Sequence, residues 1–278
     1  MEGAKTYWSM TEGVFNCLID YKRTKAFQRA IKNTIKKGDV VVDMGTGTGV
    51  LAMFAIDMGA AKVYAIEIDE NNIKTLRSNF EVNGYKDKII ILKGDVREVK
   101  IPEKADVIIG EMIATGLIEE LQIPAMNNML KYSKENVRVV LNKFENYIDL
   151  VNNNEEFYNK KFKVVRYEYA DEKELKSIPF SDKNLINRVD FSKINVNNKI
   201  DKKISLNIKK DGLINGIRIS SKTVFFDGST FGYSFAYSYP IILPIEEYEV
   251  KKGEQFLINL SYEMCAGFNT LEYSIIKK

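Results

Sequence analysis

A glycine-rich segment in the first quarter of the chain has the residue types and the spacing of a nucleotide-cofactor site. It reads VVVDMGTGTGVLAMFA over residues 40–55, so a short apolar run ends at Asp43 and a turn with alternate glycines follows. Glycine lets the backbone approach a ligand closely, and the N–H groups that begin the next predicted helix are free to bind it. A tight turn without a ligand is the alternative interpretation, because several folds share this motif. The candidate residues of the turn are Gly45, Thr46, Gly47 and Gly49.

Two further acidic residues follow the next two apolar runs. Glu67 ends the run KVYAIE, twenty residues after Gly47, and a carboxylate at this distance can accept hydrogen bonds from both ribose hydroxyls. Its neighbour Ile68 is included in the candidate site. Asp95 follows the run KIIILKG, where it could bind an adenine amino group. The three segments together predict a site for an adenosine-containing cofactor.

The charge of Asp43 distinguishes between two classes of such cofactors. S-adenosylmethionine (SAM) carries a cationic sulfonium and an ammonium group, whereas NAD carries phosphates that a carboxylate repels. One pair of unit charges about 4 Å apart is worth roughly 4 kcal/mol at an effective dielectric constant of about 20. The acid before the glycines therefore favours SAM as cofactor, with S-adenosylhomocysteine as its product.

Composition limits the chemistry and the partners of the chain. None of its 278 residues is a histidine, so no histidine can act as base, nucleophile or metal ligand, and no metal site is predicted. The two cysteines, Cys17 and Cys265, lie far apart, which is typical of a protein of the reducing cytoplasm. A net charge of +3 with scattered lysines argues against a nucleic-acid partner. No apolar stretch approaches the roughly 18 residues of a membrane span.

The order of the apolar runs predicts the fold class. Between residues 14 and 142, short apolar runs alternate with helical patterns, which is typical of a parallel sheet covered on both faces. After about residue 145, strand-like runs separated by turn residues predict a mainly antiparallel β domain. We therefore predict an α/β chain with an N-terminal helical segment (1–36), a Rossmann-like class I SAM-binding domain (37–145) and a β-rich domain (146–278). The predicted strands are 40–44, 62–68, 88–94, 106–111 and 137–142, then 161–170, 203–210, 212–221, 223–229, 233–243 and 256–264, with a short helix or an extended arm within 171–191.

Four segments in the first half resemble the catalytic domain of the protein arginine methyltransferases. They are DYKRT (20–24), VVVDMGTGTGVLAMFAIDMGAAKVYAIE (40–67), KGDVREV (93–99) and DVIIGEMIATGLIEE (106–120), in the order and spacing of that family. In the family a β-barrel follows the Rossmann-like domain, which agrees with the change of pattern near residue 145. The resemblance implies that the chain is a SAM-dependent methyltransferase that acts on arginine side chains of a protein.

The resemblance also assigns roles to residues of the cofactor site. It implies that Arg23 binds the SAM carboxylate and that Glu67 binds the ribose. Asp95 and Val96 would lie beside the adenine. Glu111 would border both the cofactor and the acceptor.

Two glutamates are implied to form the acceptor site. Glu111 and Glu120, nine positions apart, would be the paired active-site glutamates, and Glu119 is a competing assignment for the second. Glu111 directly follows the apolar run VIIG, where an acid needs a partner. Two carboxylates can bind the planar guanidinium through charged hydrogen bonds, each worth about 1.5–3 kcal/mol, and can direct one nitrogen at the methyl group without a metal.

The chain departs from the family pattern near the acceptor site. Met112, Ile113, Ala114 and Thr115 replace the aromatic and small residues that follow the first glutamate, and the Thr-His-Trp loop is absent. The segment 233–241 stands in its place, with Tyr237 and Tyr239 as the nearest aromatic residues. The pair Tyr7 and Trp8 only loosely matches the aromatic pair that covers SAM in the family.

Alternative functions follow from these departures. The methyl acceptor could be another protein side chain or a small molecule, or the chain could be a catalytically silent SAM-binding partner of another subunit. A protein substrate is the expected partner, and the resemblance allows a homodimer.

Overall fold

The apolar runs of the first half form a parallel sheet in the computed structural model of the chain, which describes residues 12–169, 175–236 and 238–278. Its five strands lie in the order β3-β2-β1-β4-β5, and each neighbouring pair is parallel. Parallel sheets are covered by helices on both faces, which explains why the central strands are almost wholly apolar. The strands are β1 (Val40–Met44), β2 (Lys62–Glu67), β3 (Ile89–Lys93), β4 (Ala105–Gly110) and β5 (Ser133–Val139).

Five helices within the described ranges accompany this sheet, and side-chain caps mark where two of them begin. The Asp20 carboxylate accepts a hydrogen bond from the backbone N–H of Arg23, and Asp69 caps another helix in the same way. The capped helix after Asp20 buries Phe27, Ala30 and Ile31, at the three- and four-residue spacing of one helical face. The helices are α1 (Glu12–Ile19), α2 (Tyr21–Thr34), α3 (Val50–Asp57), α4 (Glu70–Val82) and α5 (Gln122–Lys131).

The second half consists of antiparallel strands in a seven-stranded and a three-stranded sheet, with one small hairpin. Along one strand of the three-stranded sheet every second side chain is buried, from Phe256 to Tyr262, as a strand with one face on the core requires. The seven-stranded sheet contains β6 (Leu141–Asn152), β9 (Arg166–Tyr167), β10 (Ile178–Pro179), β11 (Asn184–Asp190), β13 (Gly212–Phe225), β14 (Thr230–Phe231) and β15 (Ile241–Val250). The three-stranded sheet contains β12 (Lys199–Asn207), β16 (Gln255–Glu263) and β17 (Glu272–Lys277), and the hairpin β7 (Glu156–Phe157) and β8 (Lys160–Lys161).

The predicted fold class is confirmed, since a Rossmann-like parallel sheet is followed by a mainly antiparallel domain. A single cluster of buried apolar side chains includes residues of both sheets, from Phe27 on α2 to Tyr262 on β16. Strand β6 passes through position 145, where the sequence places a domain boundary, and that boundary stays a prediction. Within the described ranges, no helix has the length and apolar character needed to cross a bilayer.

The fifth predicted strand, 137–142, was placed wrongly. Strand β5 begins at Ser133, and β6 begins at Leu141 after a single intervening residue. Strand β5 lies at the edge of the parallel sheet, so the polar residues 134–136 are exposed and show no apolar run. The long strand β6 was missed because Glu145 and Asp149 interrupt its apolar pattern, and both form ion pairs with neighbouring strands.

Two strands predicted in the second half were also largely wrong. Among the described residues 161–169, only Arg166–Tyr167 pairs as a strand beyond the first residue. In the described part of 233–243, the strand begins at Ile241. Residues 233–236 instead belong to a turn in which the Ser234 N–H donates to the Ser238 hydroxyl oxygen at 2.8 Å. The described part of 171–191 contains β10 and β11, which pair with β6, whereas residues 171–174 lie outside the described residues. The short helix or extended arm within this segment stays a prediction.

Candidate active site

The glycine-rich turn joins β1 to α3 at the carboxyl edge of the parallel sheet. Gly45, Gly47 and Gly49 have φ angles of 59°, 55° and 83°, in the left-handed region that disfavours residues with a Cβ. A Cβ at Gly49 would also lie 2.5 Å from a ring carbon of Phe80. Both the backbone conformation and the packing therefore require glycine, which keeps the turn close to the sheet edge where a cofactor would bind.

Glu67, at the end of β2, is held rigidly against this turn. One of its carboxylate oxygens accepts hydrogen bonds from the N–H groups of Ile68 (2.8 Å) and Asp69 (3.0 Å), and the other accepts from Gly47 (3.1 Å). Burial raises the pKa of this carboxyl group. A carboxylate offers about four acceptor positions, so Glu67 retains acceptor capacity for a hydroxyl group of a ligand.

Arg23 and Glu111 form a buried ion pair between α2 and the end of β4. The Nε and Nη2 atoms of Arg23 both donate to Oε2 of Glu111, the Nε bond at 3.0 Å, and the two side chains are 5% and 4% exposed. The remaining Nη1 donates to the carbonyl oxygen of Cys17 at 3.1 Å. The residue predicted for the cofactor carboxylate is thus in direct contact with the first predicted glutamate.

Glu120 lies within electrostatic range of Glu111, whereas Glu119 is directed elsewhere. Burial raises the pKa of Glu120 to about 7, and repulsion by Glu111 and then by Glu119 adds to the shift. Glu119 is exposed and accepts a hydrogen bond from the Tyr167 hydroxyl at 2.5 Å. Of the two competing assignments, Glu120 is therefore the mostly buried one and is electrostatically coupled to Glu111.

Asp95 follows β3 and binds its near neighbour Arg97. The guanidinium Nε and Nη2 donate to the two carboxylate oxygens at 2.9 and 2.5 Å. Val96 is buried, and its carbonyl oxygen accepts a hydrogen bond from the side chain of Asn128 on α5 at 2.9 Å. This turn is thus fixed by contacts of its own at the same edge of the sheet.

The segment between the two glutamates, residues 111–121, is held by the second domain. We call it the glutamate loop. Backbone and side-chain groups from two strands and two turns of the β-rich half bind four consecutive residues of this loop. The bonds are Thr115 Oγ1 to Tyr239 O (2.6 Å), Gly116 N to Ser221 Oγ (2.9 Å), Tyr262 OH to Gly116 O (3.0 Å), Cys265 N to Leu117 O (2.7 Å) and Gly267 N to Ile118 O (2.8 Å).

Comparison with known proteins identifies the family of the chain. The sequence model of the ribosomal protein L11 methyltransferase (PrmA) family matches residues 20–133. Over 263 residues the chain is 32% identical to the protein MJ1452 of Methanocaldococcus jannaschii, covering 94% of this chain and 95% of that one. The chain belongs to the family of MJ1452 and is a class I SAM-dependent methyltransferase.

Two further similarities relate this methyltransferase to arginine methyltransferases. A stretch of 123 residues is 39% identical to the histone-arginine methyltransferase CARMER of Drosophila persimilis, covering 44% of this chain but only 23% of CARMER. The fold matches that of the Trypanosoma brucei PRMT1 enzyme-prozyme heterotetrameric complex with AdoHcy, with a TM-score of 0.74 at 17% identity over 95% of this chain and 96% of that one.

In this methyltransferase, the side chain of Asp43 has the charge and the burial that suit the cationic end of SAM. This side chain is 1% exposed, and burial raises its pKa to about 6. Its Oδ2 accepts a hydrogen bond from the Thr46 hydroxyl at 2.6 Å, while Oδ1 has no hydrogen-bond partner among the described residues. An unsatisfied buried carboxylate oxygen is costly, and an ammonium or sulfonium group would compensate it. In the described part of the chain, no cluster of three or more acidic or cysteine side chains could hold a metal ion.

Several residues that shape the site were not predicted from the sequence. Gln122 is fully buried at the start of α5, and its carbonyl oxygen accepts a hydrogen bond from the Met112 N–H at 2.9 Å, which fixes the chain directly after Glu111. Ser221 and Tyr262 bind the glutamate loop from distant strands, and no local pattern marks them. Of the aromatic residues considered from the sequence, Tyr7, Trp8 and Tyr237 lie outside the described residues, and Tyr239 contacts the loop through its carbonyl group.

Proposed function

We propose that this methyltransferase transfers the SAM methyl group to the guanidinium of an arginine side chain in a protein, and that Glu111 and Glu120 bind this guanidinium. The observation that carries the proposal is the coupled, mostly buried pair of carboxylates beside Arg23, on a loop fixed from both domains. Such a pair matches a planar cation with several donors. The similarity to CARMER supports the same acceptor, although the chain spans only 23% of that protein.

The proposed mechanism divides the work between a cofactor side and an acceptor side. When bound, SAM supplies an electrophilic methyl group on its sulfonium. We propose that Glu67 holds the ribose, that Asp43 compensates the cationic end and that Arg23 binds the carboxylate. The turn residues Gly45, Thr46, Gly47, Gly49 and Ile68 would line the cofactor, and Asp95 and Val96 would lie beside the adenine.

On the acceptor side, the two glutamates would orient the guanidinium and stabilise the positive charge that develops on it during transfer. Glu111, held in place by Arg23, would accept hydrogen bonds from one edge of the guanidinium. Glu120 would accept from another and take the proton that the methylated nitrogen releases, because its pKa of about 7 suits a general base near neutral pH. Positioning of this kind accounts for catalysis without histidine or metal.

The raised pKa of Glu120 gives an expected pH dependence. The guanidinium requires the ionised carboxylate, so kcat/KM should rise with pH and level off above about 7, where free Glu120 loses its proton. The kcat profile should reach its plateau at lower pH, since a bound cation lowers the pKa of the carboxyl group. Initial rates measured between pH 5 and 9 test this. SAM affinity measured over the same pH range shows the effect of Asp43 titration, whose pKa is about 6, separately from that of Glu120. A kcat/KM independent of pH would contradict the role of Glu120.

Substitution of Arg23 by alanine is expected to weaken SAM binding by about 10- to 100-fold, because a charged hydrogen bond contributes about 1.5–3 kcal/mol. Calorimetric titration with SAM measures the change. Arg138→Ala is the matched control, since Arg138 forms a comparable partly buried pair with Asp39 at 2.7 Å, before the start of β1 and so at the opposite edge of the sheet. The control should lose stability but keep its SAM affinity. Equal affinities in wild type and Arg23→Ala would remove Arg23 from the cofactor site.

Methyl transfer from isotope-labelled SAM tests the acceptor directly. The purified protein is incubated with a lysate of cells that lack it, and mass spectrometry locates the label. Label on arginine of a protein supports the proposal. Label on another side chain or on a metabolite would show a different methyl acceptor and leave the assignment as a methyltransferase unchanged. SAM binding without any transfer would favour a catalytically silent partner subunit.

We also propose that the chain assembles with itself and acts in the cytoplasm. The described residues of the segment 158–178 expose several large apolar side chains, which is typical of a contact surface. Both cysteines are free, as expected in a reducing compartment. Sedimentation at micromolar concentration tests the assembly, for which a purely monomeric mass would be the contrary result. The exposed apolar residues of the segment are Tyr158, Phe162, Val164, Val165, Tyr169 and Ile178.

A further inference from the structure

A cavity of about 400 Å³ lies in the second domain, where the end of β6, the hairpin of β7 and β8, and strands β10, β13 and β15 line it. Cavities of about 300–1,000 Å³ are typical of sites for small molecules. All of the lining residues belong to the β-rich half, so the cavity is separate from the glycine-rich turn and from the glutamate loop. The lining residues that matter here are Asn153, Glu155, Lys161, Lys176, Ile178 and Leu213.

Glu155, between β6 and β7, supplies a buried carboxylate to this cavity. It is 7% exposed, and neither of its carboxylate oxygens has a hydrogen-bond partner among the described residues. Burial raises the pKa of this carboxyl group. The side-chain amide of Asn153 counteracts part of that rise, yet its own hydrogen bond goes to Oδ1 of Asn215 at 2.8 Å. Because buried polar groups are almost always hydrogen-bonded, the carboxylate of Glu155 retains its capacity to accept bonds from a ligand.

The cationic side chains around Glu155 are directed elsewhere in the part of the chain that the structure describes. Lys161 and Lys163 each form an ion pair of 2.7 Å with an acid of β15. Arg166 donates to three oxygen atoms of other residues at 3.1–3.3 Å. Lys176 is exposed at the rim, so its long side chain can turn towards solvent. These groups thus leave the carboxylate of Glu155 without a directly bound cation.

We infer that this cavity is a second binding site, which takes a primary ammonium group on a short alkyl chain and binds it through Glu155. An ammonium group has three donors and no acceptor, which complements a carboxylate that lacks donors on both oxygens. It is also more compact than a guanidinium, which suits a carboxylate enclosed by its neighbours. Exposed side chains at the rim, such as Lys176, would move aside to admit it. Ile178 and Leu213 supply apolar lining for the alkyl chain. The inference is independent of the proposed function.

NMR titration of the full chain with n-butylammonium, and with n-butanol as a neutral probe of the same shape, tests the inference. We expect wild type to bind the ammonium probe more tightly than butanol. Glu155→Gln should bind the ammonium probe about 10- to 100-fold more weakly, which is the loss expected for one charged hydrogen bond. Nα-acetyl-lysine amide, as a third probe, distinguishes two sources of the ammonium group. Its binding shows that the cavity admits a lysine side chain of a protein, whereas binding of butylammonium alone indicates a small free amine, and both results support the inference.

Glu156→Gln is the matched control, because Glu156 lines the same cavity but is exposed. It should bind the ammonium probe within about twofold of wild type. Without a ligand, Glu155→Gln should be at least as stable as wild type towards urea, since it removes a buried charge that has no direct partner, whereas a purely structural role of Glu155 predicts a loss of stability. Equal binding of the ammonium probe by wild type and Glu155→Gln, or no preference of wild type for the ammonium probe over butanol, would overturn the inference. Methyl transfer should be unchanged in both variants, so the proposed function is tested separately.

Discussion

Glu111→Gln is expected to lower the rate of methyl transfer by about 10²- to 10³-fold, the usual effect of removing one preorganised charge that stabilises a transition state. The amide keeps the shape of the side chain and can still accept a bond from Arg23, but it carries no charge to orient and stabilise the guanidinium. SAM affinity should stay within a few-fold of wild type, since the substitution leaves Arg23 itself in place. Single-turnover transfer and calorimetric SAM binding give the two values separately.

Glu119→Gln is the matched control for this experiment. Glu119 is exposed and its carboxylate binds the Tyr167 hydroxyl, so its amide variant should lose less than about threefold in rate under the proposed assignment. The pair of variants also distinguishes the two assignments of the second glutamate, when Glu120→Gln is measured beside them. A Glu111→Gln protein with the wild-type rate would refute the mechanism, even if its SAM site is intact.

Gly110→Ala is expected to destabilise the fold by about 3 kcal/mol or more, because a tightly packed position cannot take an extra methyl group and the left-handed backbone adds a cost of its own. Gly110 ends β4 with a φ angle of 139°, and a Cβ there would lie 2.7 Å from Cβ, 2.9 Å from O and 3.0 Å from N of Met44. These are mainly backbone atoms of the central strand β1, which is paired with Gly110 in the sheet. Urea unfolding followed by circular dichroism measures the loss.

A second glycine separates the steric effect from the backbone effect. Gly38 has a φ angle of 90°, and no atom lies within 4 Å of a Cβ built on it. Gly38→Ala should therefore cost only about 1 kcal/mol, from the backbone conformation alone. Equal destabilisation by the two substitutions would show that contact with β1 is not what excludes a side chain at Gly110.

The parallel half could be predicted from the sequence because its strands are buried on both faces and appear as short apolar runs. Strand β1 was predicted with its exact ends, and β2, β3 and β4 to within one residue at each end. The edge strand β5 and the long strand β6 could not be predicted in this way. Polar residues at an exposed edge and buried ion pairs such as Arg218 with Asp149 remove the pattern, although both strands are fully formed.

The candidate site could likewise be predicted only in part from the sequence. Glycines and acids that follow the parallel strands could be found, since the strand order brings their ends together. The pairing of Arg23 with Glu111 could not, because it depends on how α2 packs against the sheet 88 residues away in sequence. The contacts of Ser221, Tyr239 and Tyr262 with the glutamate loop likewise depend on tertiary packing, and a single sequence contains no local signal for them.

The five hydrogen bonds from the second domain to the glutamate loop have a consequence for biosynthesis. During translation, the strands and turns proposed for the cofactor site, with Asp43 and Glu67, emerge from the ribosome first. The groups that hold residues 115–118 emerge much later, and those of Tyr262, Cys265 and Gly267 come after nearly all other strands. The residues proposed to bind the cofactor are therefore synthesised well before the groups that hold the glutamate loop in place. Under the proposed mechanism, we therefore expect methyl transfer only after the strands near residue 262 have been synthesised and folded.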